Sequence, residues 1–408
     1  MKPMGPIPPG FGSADGVLTI GGERADALVE CAGGTPLFVY DMALVRARIA
    51  NLRAKMPPQL RIHYAIKANP LPEVVRAIVP HVDGLDVASA GEMQVALDAG
   101  AGHVSFAGPG KRDAELEAAI GAGVTLNLES EGEAERALRI AERLGKPPKL
   151  AVRVNPDFDL KGSGMRMGGG AKPFGVDAER VPALVRTIVA AGADWRGFHI
   201  FAGSQALDAT AIADTQAQTV ALAARLAGEA GHAPPFVNLG GGLGVPYFPG
   251  DAPVDTGRVG GRLAEVLNDR NNALQHTEFA IELGRYLVAE AGVYLCRIVD
   301  RKVSHGEVFL ITDGGLHHQL AASGNFGTVV RRNYPLAIAT RFDAAADEVA
   351  SVVGCLCTPR DRLGDQLSLP RAEPGDVVAV FLAGAYGATA SPAAFLGHPA
   401  PLEFVVNR

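Results

Sequence analysis

The chain has no long apolar run. Its most hydrophobic stretch, VVAVFLAGAYGATA, is too short and too glycine-rich to span a bilayer. The opening MKPMGPIPPGFGSADG lacks the apolar core of a secretory signal. Cysteine is scarce, with only Cys31, Cys296, Cys355 and Cys357 in 408 residues and no CxxC pair. That spacing argues against a disulfide framework and a zinc knuckle, so no metal centre is expected and a reducing cytoplasm fits. Basic runs and acidic tails are missing too. A net charge of −6 offers no electrostatic footprint for nucleic acid. The expectation is a cytoplasmic protein with neither a membrane nor a nucleic-acid partner.

What is present is a repeating pattern. Eight short apolar segments read as strands: 60–66, 84–87, 103–107, 124–128, 150–154, 196–201, 236–239 and 278–283. Each of the first seven is followed by a helical segment, and Ser89 and Ser130 stand at N-cap positions of two of them. Eight β-then-α units predict an α/β fold of the (β/α)8 TIM barrel type, with a doubly wound open sheet as the alternative. Residues 155–175, NPDFDLKGSGMRMGGGAKPFG, break the rhythm and read as a mobile flap over a site. Beyond residue 290 the apolar runs lose their helices and predict a C-terminal all-β domain. The expected division is an N-terminal segment 1–36 packing with the β domain, a barrel at 37–289, and the β domain at 290–408.

Residues poorly suited to a core collect at the ends of the predicted strands, where barrel enzymes carry their chemistry. Lys67, in HYAIKANP, falls on the inner face of the first barrel strand. Desolvation there would lower its pKa and leave a nucleophilic amine suited to an imine bond with a carbonyl compound. A buried ion pair is the competing explanation. Asp86, Arg153, His199 and Phe201 lie on other strands. Gly240, Gly241 and Gly242 could bring backbone N–H groups to a phosphate at a helix start, or form a plain tight turn. Glu282 could hold a ring nitrogen protonated while Arg285 meets an anion, or the two could pair with each other. Tyr386, in GAYG, adds a hydroxyl. A lysine, a phosphate cradle and a carboxylate for a ring nitrogen together describe a pyridoxal phosphate site.

The stretches HYAIKANP, GLDVASAGEM, RVNPDF, KPFGV, GFHIFAGSQ, VNLGGGLG, ELGRYLVAEAG, VVGCLCTPRD and GAYG run in order over most of the chain. Through them the sequence resembles the fold type III pyridoxal-dependent decarboxylases, the diaminopimelate and ornithine decarboxylase family. SFAGPGKRDAEL, GSGMRMGGG and TDGGLHHQLAASGNFG are similar to a bacterial subgroup associated with exosortase systems. The resemblance implies an alanine racemase-like barrel plus β domain, pyridoxal 5'-phosphate as cofactor, and a homodimer with shared active sites. It implies that Lys67 carries the cofactor and that Asp86 and Arg153 line its site. Ser204, Gly240 to Gly242, Gly284, Arg285 and Tyr386 would surround the phosphate, and Glu282 would meet the pyridine nitrogen. Cys357 would reach in from the partner chain as proton donor, with Asp361 in the same loop.

Three departures from the family pattern bear on the substrate. Phe201 stands where the family usually has the histidine that stacks on the cofactor, and His199 precedes it by two residues; Phe201 is the expected stacking ring. Thr358 follows Cys357 where an acidic reader of a distal amine is usual, which argues against lysine, ornithine and diaminopimelate. The usual Glu-Pro-Gly-Arg appears as Glu-Leu-Gly-Arg with Glu282 and Arg285 still three apart. Arg331, Arg332 and Tyr334 lie near the region that reads the far end of the substrate, and Arg285, Arg331, Tyr334, Thr358 and Asp361 are the expected substrate contacts. The expected reaction is α-decarboxylation of an amino acid or of an aminoacyl group on a carrier protein. A racemase and a non-catalytic regulatory homologue are the alternatives.

Overall fold

The computed structural model describes residues 1–324 and 332–408. The expected substrate contact Arg331 therefore lies outside the described residues. The chain forms two compact units. One comprises Arg48–Val245 and Pro253–Gly284; the other comprises Met1–Ala47, Pro246–Ala252 and Arg285–Arg408.

The first unit is a closed parallel barrel. Its strands are β1 (Arg61–Ala65), β2 (Gly84–Val87), β3 (Val104–Phe106), β4 (Thr125–Leu128), β5 (Lys149–Asn155), β6 (Asp194–Ile200), β7 (Phe236–Asn238) and β8 (Glu278–Leu283). They pair in chain order, and β8 pairs β1 in parallel to close the ring. The open-sheet alternative is thereby excluded. Parallel strands covered by helices are buried on both faces, hence the near-continuous apolar runs. All four residues of β2, and all four of β4, are buried.

Local signals set the intervening helices. Ser89 Oγ accepts from Glu92 N at 3.1 Å, and Ser130 Oγ accepts from Glu133 N at 3.1 Å. Each glutamate answers from its own side. Glu92 Oε2 accepts from Ala88 N at 2.7 Å, and Glu133 Oε2 accepts from Glu129 N at 3.1 Å. Each pair satisfies amides that a helix start leaves orphaned. Residues 155–175 are not wholly irregular. Met165–Arg166 pairs antiparallel with Gly203–Ser204, and just beyond the segment Val176–Asp177 pairs in parallel with the end of β5.

The second unit centres on the long strand Gly292–Ser304. It pairs Leu37–Asp41 and Val377–Val380 through its buried first half, and Glu307–Thr312 through its exposed second half. Leu402–Val406 lies parallel to Leu37–Asp41. The N-terminal Val17, Leu18, Ile20 and the helix residues Leu28 and Val29 share a core with Leu37, Val293, Leu295, Ala379 and Phe381. Among the described residues no helix is long and apolar enough to cross a membrane.

Candidate active site

Lys67 does not occupy the strand. β1 ends at Ala65, and Ile66–Ala68 makes one turn of 3-10 helix. The expected burial is wrong: the Lys67 side chain is 45% exposed. The parity argument failed because the extended chain stops two residues early. Asn69, held extended before Pro70, closes the turn by accepting Tyr64 Oη–H on its carbonyl at 2.9 Å. The turn lifts the lysine onto the barrel rim. There Nζ lies 3.7 Å from Glu282 Oε1 and 5.6 Å from the centre of the Phe201 ring.

Glu282, near the end of β8, is buried, and its Oε2 lies 2.8 Å from His199 Nε2. Burial alone would raise its pKa. The Lys67 charge, the His199 hydrogen bond and the Arg153 charge outweigh burial and bring it to about 2. The barrel thus holds a buried carboxylate whose pKa lies well below its ordinary range. His199 is buried as well, whereas Phe201 lies just past β6 and is half-exposed. Asp86 on β2 is buried. Its Oδ2 lies 3.2 Å from His63 Nδ1, and its Oδ1 has no partner among the described residues.

Arg153 on β5 belongs to a buried network that sequence reasoning missed. Its Nη1 donates to Glu129 Oε1 at 2.7 Å. Glu129 also accepts from Gly108 N at 2.6 Å and Gly175 N at 2.8 Å. Beside it, buried Lys111 Nζ lies 2.7 Å from Glu133 Oε1 and donates to the Asn127 carbonyl. The signal was present, because Glu129 and Glu133 flank the Ser130 cap. A helix start simply accounts for acidic residues without any further role.

The Gly240–Gly242 turn leaves no room for side chains. Gly240 and Gly242 have φ of +70° and +93°, and a Cβ on Gly241 would collide with the Glu282 carbonyl. No helix starts there, since the next one is Thr256–Asn268. Gly240 N–H is already spent on Asn238 Oδ1 at 2.9 Å. Gly284 lies against the lysine turn, where an added Cβ would meet Ala68 Cβ at 2.9 Å. Ser204 is half-buried in its two-residue strand.

The remaining expected residues belong to the second unit. Arg285 Nη1 donates to Tyr247 Oη at 2.8 Å, and its guanidinium carbon lies 4.7 Å from the Tyr386 ring centre. Glu282 and Arg285 therefore have other partners, and the local pair between them does not form. Arg285 Nε is buried with no partner among the described residues. Tyr334 is buried against Tyr247 and Phe248, and Arg332 stacks on Phe248 at 3.7 Å. Cys357 is exposed and Thr358 half-buried. Asp361 is buried with its carboxylate turned to the backbone: Oδ1 accepts Leu316 N–H at 2.7 Å and Oδ2 accepts Leu356 N–H at 2.8 Å.

These groups fit pyridoxal phosphate on chemical grounds. Within the barrel unit, a buried carboxylate held well below its ordinary range, a rim amine beside an aromatic ring and a glycine turn closed to side chains match its ring nitrogen, aldehyde and phosphate in turn. The comparisons agree. The pyridoxal-binding domain of the pyridoxal-dependent decarboxylases matches residues 42–289. An L-glutamyl-[BtrI acyl-carrier protein] decarboxylase of Niallia circulans is 36% identical over 91% of this chain and 88% of its own. A 2-[(L-alanin-3-ylcarbamoyl)methyl]-2-hydroxybutanedioate decarboxylase of Staphylococcus aureus is 28% identical over 90% and 93%. A solved diaminopimelate decarboxylase from M. jannaschii, in complex with L-lysine, shares the fold with a TM-score of 0.88 at 24% identity, over 98% of this chain and 93% of that one. The chain belongs to the pyridoxal-dependent decarboxylases, carboxy-lyases that use pyridoxal 5'-phosphate to decarboxylate an amino acid or an amino-acid conjugate.

Proposed function

We propose that the substrate is an acidic aminoacyl conjugate, with glutamate on an acyl-carrier protein as the leading case, and that the chain removes its α-carboxylate as CO2. Thr358 carries this reading. It offers an uncharged hydroxyl next to Cys357, which accepts Arg360 N–H at 3.4 Å and cannot pair with a distal ammonium. The relative that acts on a carrier-bound glutamyl group and the one that acts on a carbamoyl conjugate support it.

The cofactor, when bound, supplies an electron sink for the pair left at the α-carbon by departing CO2. The roles of the chain's own residues follow from their chemistry. Lys67 holds the cofactor aldehyde through its amine. Glu282, its pKa held below the ordinary range, keeps a ring nitrogen protonated, and His199 fixes the carboxylate's orientation from its other oxygen. Phe201 is the flat apolar partner for the ring. Asp86 and the Glu129-braced Arg153 line the same barrel mouth. Gly241 and Gly242 are the amides left for the phosphate once Gly240 is spent on Asn238, joined by Ser204, Arg285 and Tyr386. Cys357 of a second copy holds the proton delivered to the α-carbon, which makes a homodimer the working unit. Arg285 and Tyr334 contact the substrate, and Asp361 keeps the Cys357 loop in shape.

The test is CO2 release from free glutamate, lysine, ornithine and diaminopimelate and from glutamyl-loaded acyl-carrier protein. Turnover of the carrier conjugate well above all free amino acids is expected. Brisk release from a free basic amino acid, with none from the conjugate, overturns the proposal.

A further inference from the structure

The HHQ of TDGGLHHQLAASG has no part in the decarboxylation chemistry, and the second unit gives it a setting of its own. His317 follows strand Glu307–Thr312, Cys355 follows strand Glu348–Val353, and His398 precedes strand Leu402–Val406. Their ligand atoms all lie within 4.8 Å of one another. Cys355 Sγ is 3.8 Å from His398 Nδ1 and 3.9 Å from His398 Nε2, and the His317 and His398 ring centres are 5.2 Å apart.

His317 is the telling member. It is fully buried, at 0% exposure, yet neither ring nitrogen has a partner among the described residues. Buried imidazoles are nearly always hydrogen-bonded, and an exception asks for a missing partner. Its neighbour His318 shows the ordinary arrangement, with Nδ1 3.0 Å from Tyr294 Oη and Nε2 3.0 Å from the Pro399 carbonyl. That second contact also steadies the segment carrying His398.

We propose that His317, Cys355 and His398 bind one zinc ion per chain. One thiolate and two imidazoles form a borderline-soft donor set that zinc takes with three protein ligands and an open fourth position. The cluster's own donors are nitrogen and sulfur, which a hard cation disfavours, while the nearby Asp361 carboxylate is committed to Leu316 and Leu356 N–H groups and the Asp313 carboxylate to Arg297 N–H and the Thr35 hydroxyl. Zinc bond lengths set neighbouring donor atoms roughly 3.5 Å apart. The Cys355–His398 spacing is already close to that, and rotation of half-exposed His398 closes the rest. Buried His317 has both ring nitrogens free of hydrogen bonds among the described residues, so either can meet the metal. A cysteine is mainly a thiol at neutral pH and binds metal as the thiolate, so zinc displaces one proton from the Cys355 sulfur to solvent for each ion bound. The site ties together three distant segments and anchors the loop two residues before Cys357.

The experiment strips full-length holoenzyme with a chelator and titrates it with zinc alone, by calorimetry in two buffers of different ionisation enthalpy. One zinc per chain with release of about one proton is expected. C355S and H398A should each lose at least the roughly 10–100-fold in affinity that even outer-shell changes cost. C31S and C357S should bind as the parent does. Cobalt in place of zinc should give a thiolate charge-transfer band that C355S abolishes. H398A alters a half-exposed residue, so it remains informative even where His317→Ala misfolds. Unsaturable binding, or C355S and H398A binding as tightly as the parent, overturns the proposal. So does affinity that follows Cys357 instead of Cys355.

Discussion

Glu129→Gln removes one charge from the centre of the barrel network and keeps its shape. In the parent, Oε1 accepts from Arg153 Nη1 and Gly108 N, and Oε2 accepts from Gly175 N. The two side chains are only 2% and 9% exposed. A glutamine amide must turn its NH2 toward one of these donors. Facing Gly175, it leaves that amide unsatisfied, at about 1–3 kcal/mol, and reduces the Arg153 contact from an ion pair to a bond with a neutral acceptor, at about 1 kcal/mol more. Arg153 also loses the carboxylate it contacts directly. Together these reach the roughly 3–5 kcal/mol typical of a broken buried pair. In a unit of this size that lowers Tm by roughly 10 °C. Urea unfolding at neutral pH should show the midpoint falling with the slope unchanged. The pH dependence gives a second check. Burial pushes the Glu129 carboxyl up, but Arg153 and Lys111 outweigh it and hold it below its ordinary 4.5. A depressed carboxylate gives its full stability above 4.5 and loses it as pH falls through the folded value. The gap between parent and variant should therefore narrow in acid. A loss under about 1 kcal/mol at pH 7, or a gap independent of pH, refutes the network's assigned strength.

Lys67→Ala should abolish borohydride trapping of the cofactor; trapping at another lysine would remove its role. Cys357→Ala should leave the cofactor bound and slow product formation by about 10²–10⁴-fold, the usual worth of a general acid, with unchanged turnover as the refuting result. His103 titrates the stability of the barrel. Burial first, then His63 and nearby cations, push it down to about 3, so the folded state stays neutral while the unfolded chain takes up a proton below about 6.5. Its contribution is complete above that value and is lost as pH falls toward the folded one, about 2 kcal/mol by pH 5. His103→Asn should remove that share of the acid loss in urea titrations; an identical acid loss in the variant contradicts it.

The barrel was legible because its strands are short, apolar and regularly spaced, and because Ser89 and Ser130 announce their helices with ordinary cap chemistry. Lys67 was placed in the right region but in the wrong conformation. Parity carries information only while the chain stays extended, and the Asn69-Pro70 pair warned of a boundary. Strand Arg362–Leu369 escaped notice because Gly364 and the positive φ of Gln366 interrupt its alternation. Glu129 and Glu133 were hidden by an adequate local explanation. His317, Cys355 and His398 were hidden by distance, since neighbours forty residues apart leave no spacing to recognise and only the packed sheet unites them.

Thr358, proposed above to read the substrate, stands on a loop held mainly by its neighbours. Asp361 holds it through Leu316 and Leu356 N–H, and the Asp361 carboxylate fits only because Gly315 and Gly354 on either side have no Cβ to strike it. Thr358 N–H donates to the Leu356 carbonyl at 2.7 Å, and its half-exposed side chain adds only one long bond, accepting Arg360 N–H at 3.4 Å. Thr358→Glu should accordingly change stability by no more than about 0.5 kcal/mol while placing a carboxylate beside Cys357. A carboxylate there attracts a distal ammonium and repels a distal carboxylate, so one substitution supplies both arms of a specificity switch. The expected outcome is a rise in kcat/KM for lysine or diaminopimelate together with a fall for the glutamyl conjugate. If the variant folds normally and neither value moves, position 358 does not read the substrate, and the selectivity must lie elsewhere in the second unit.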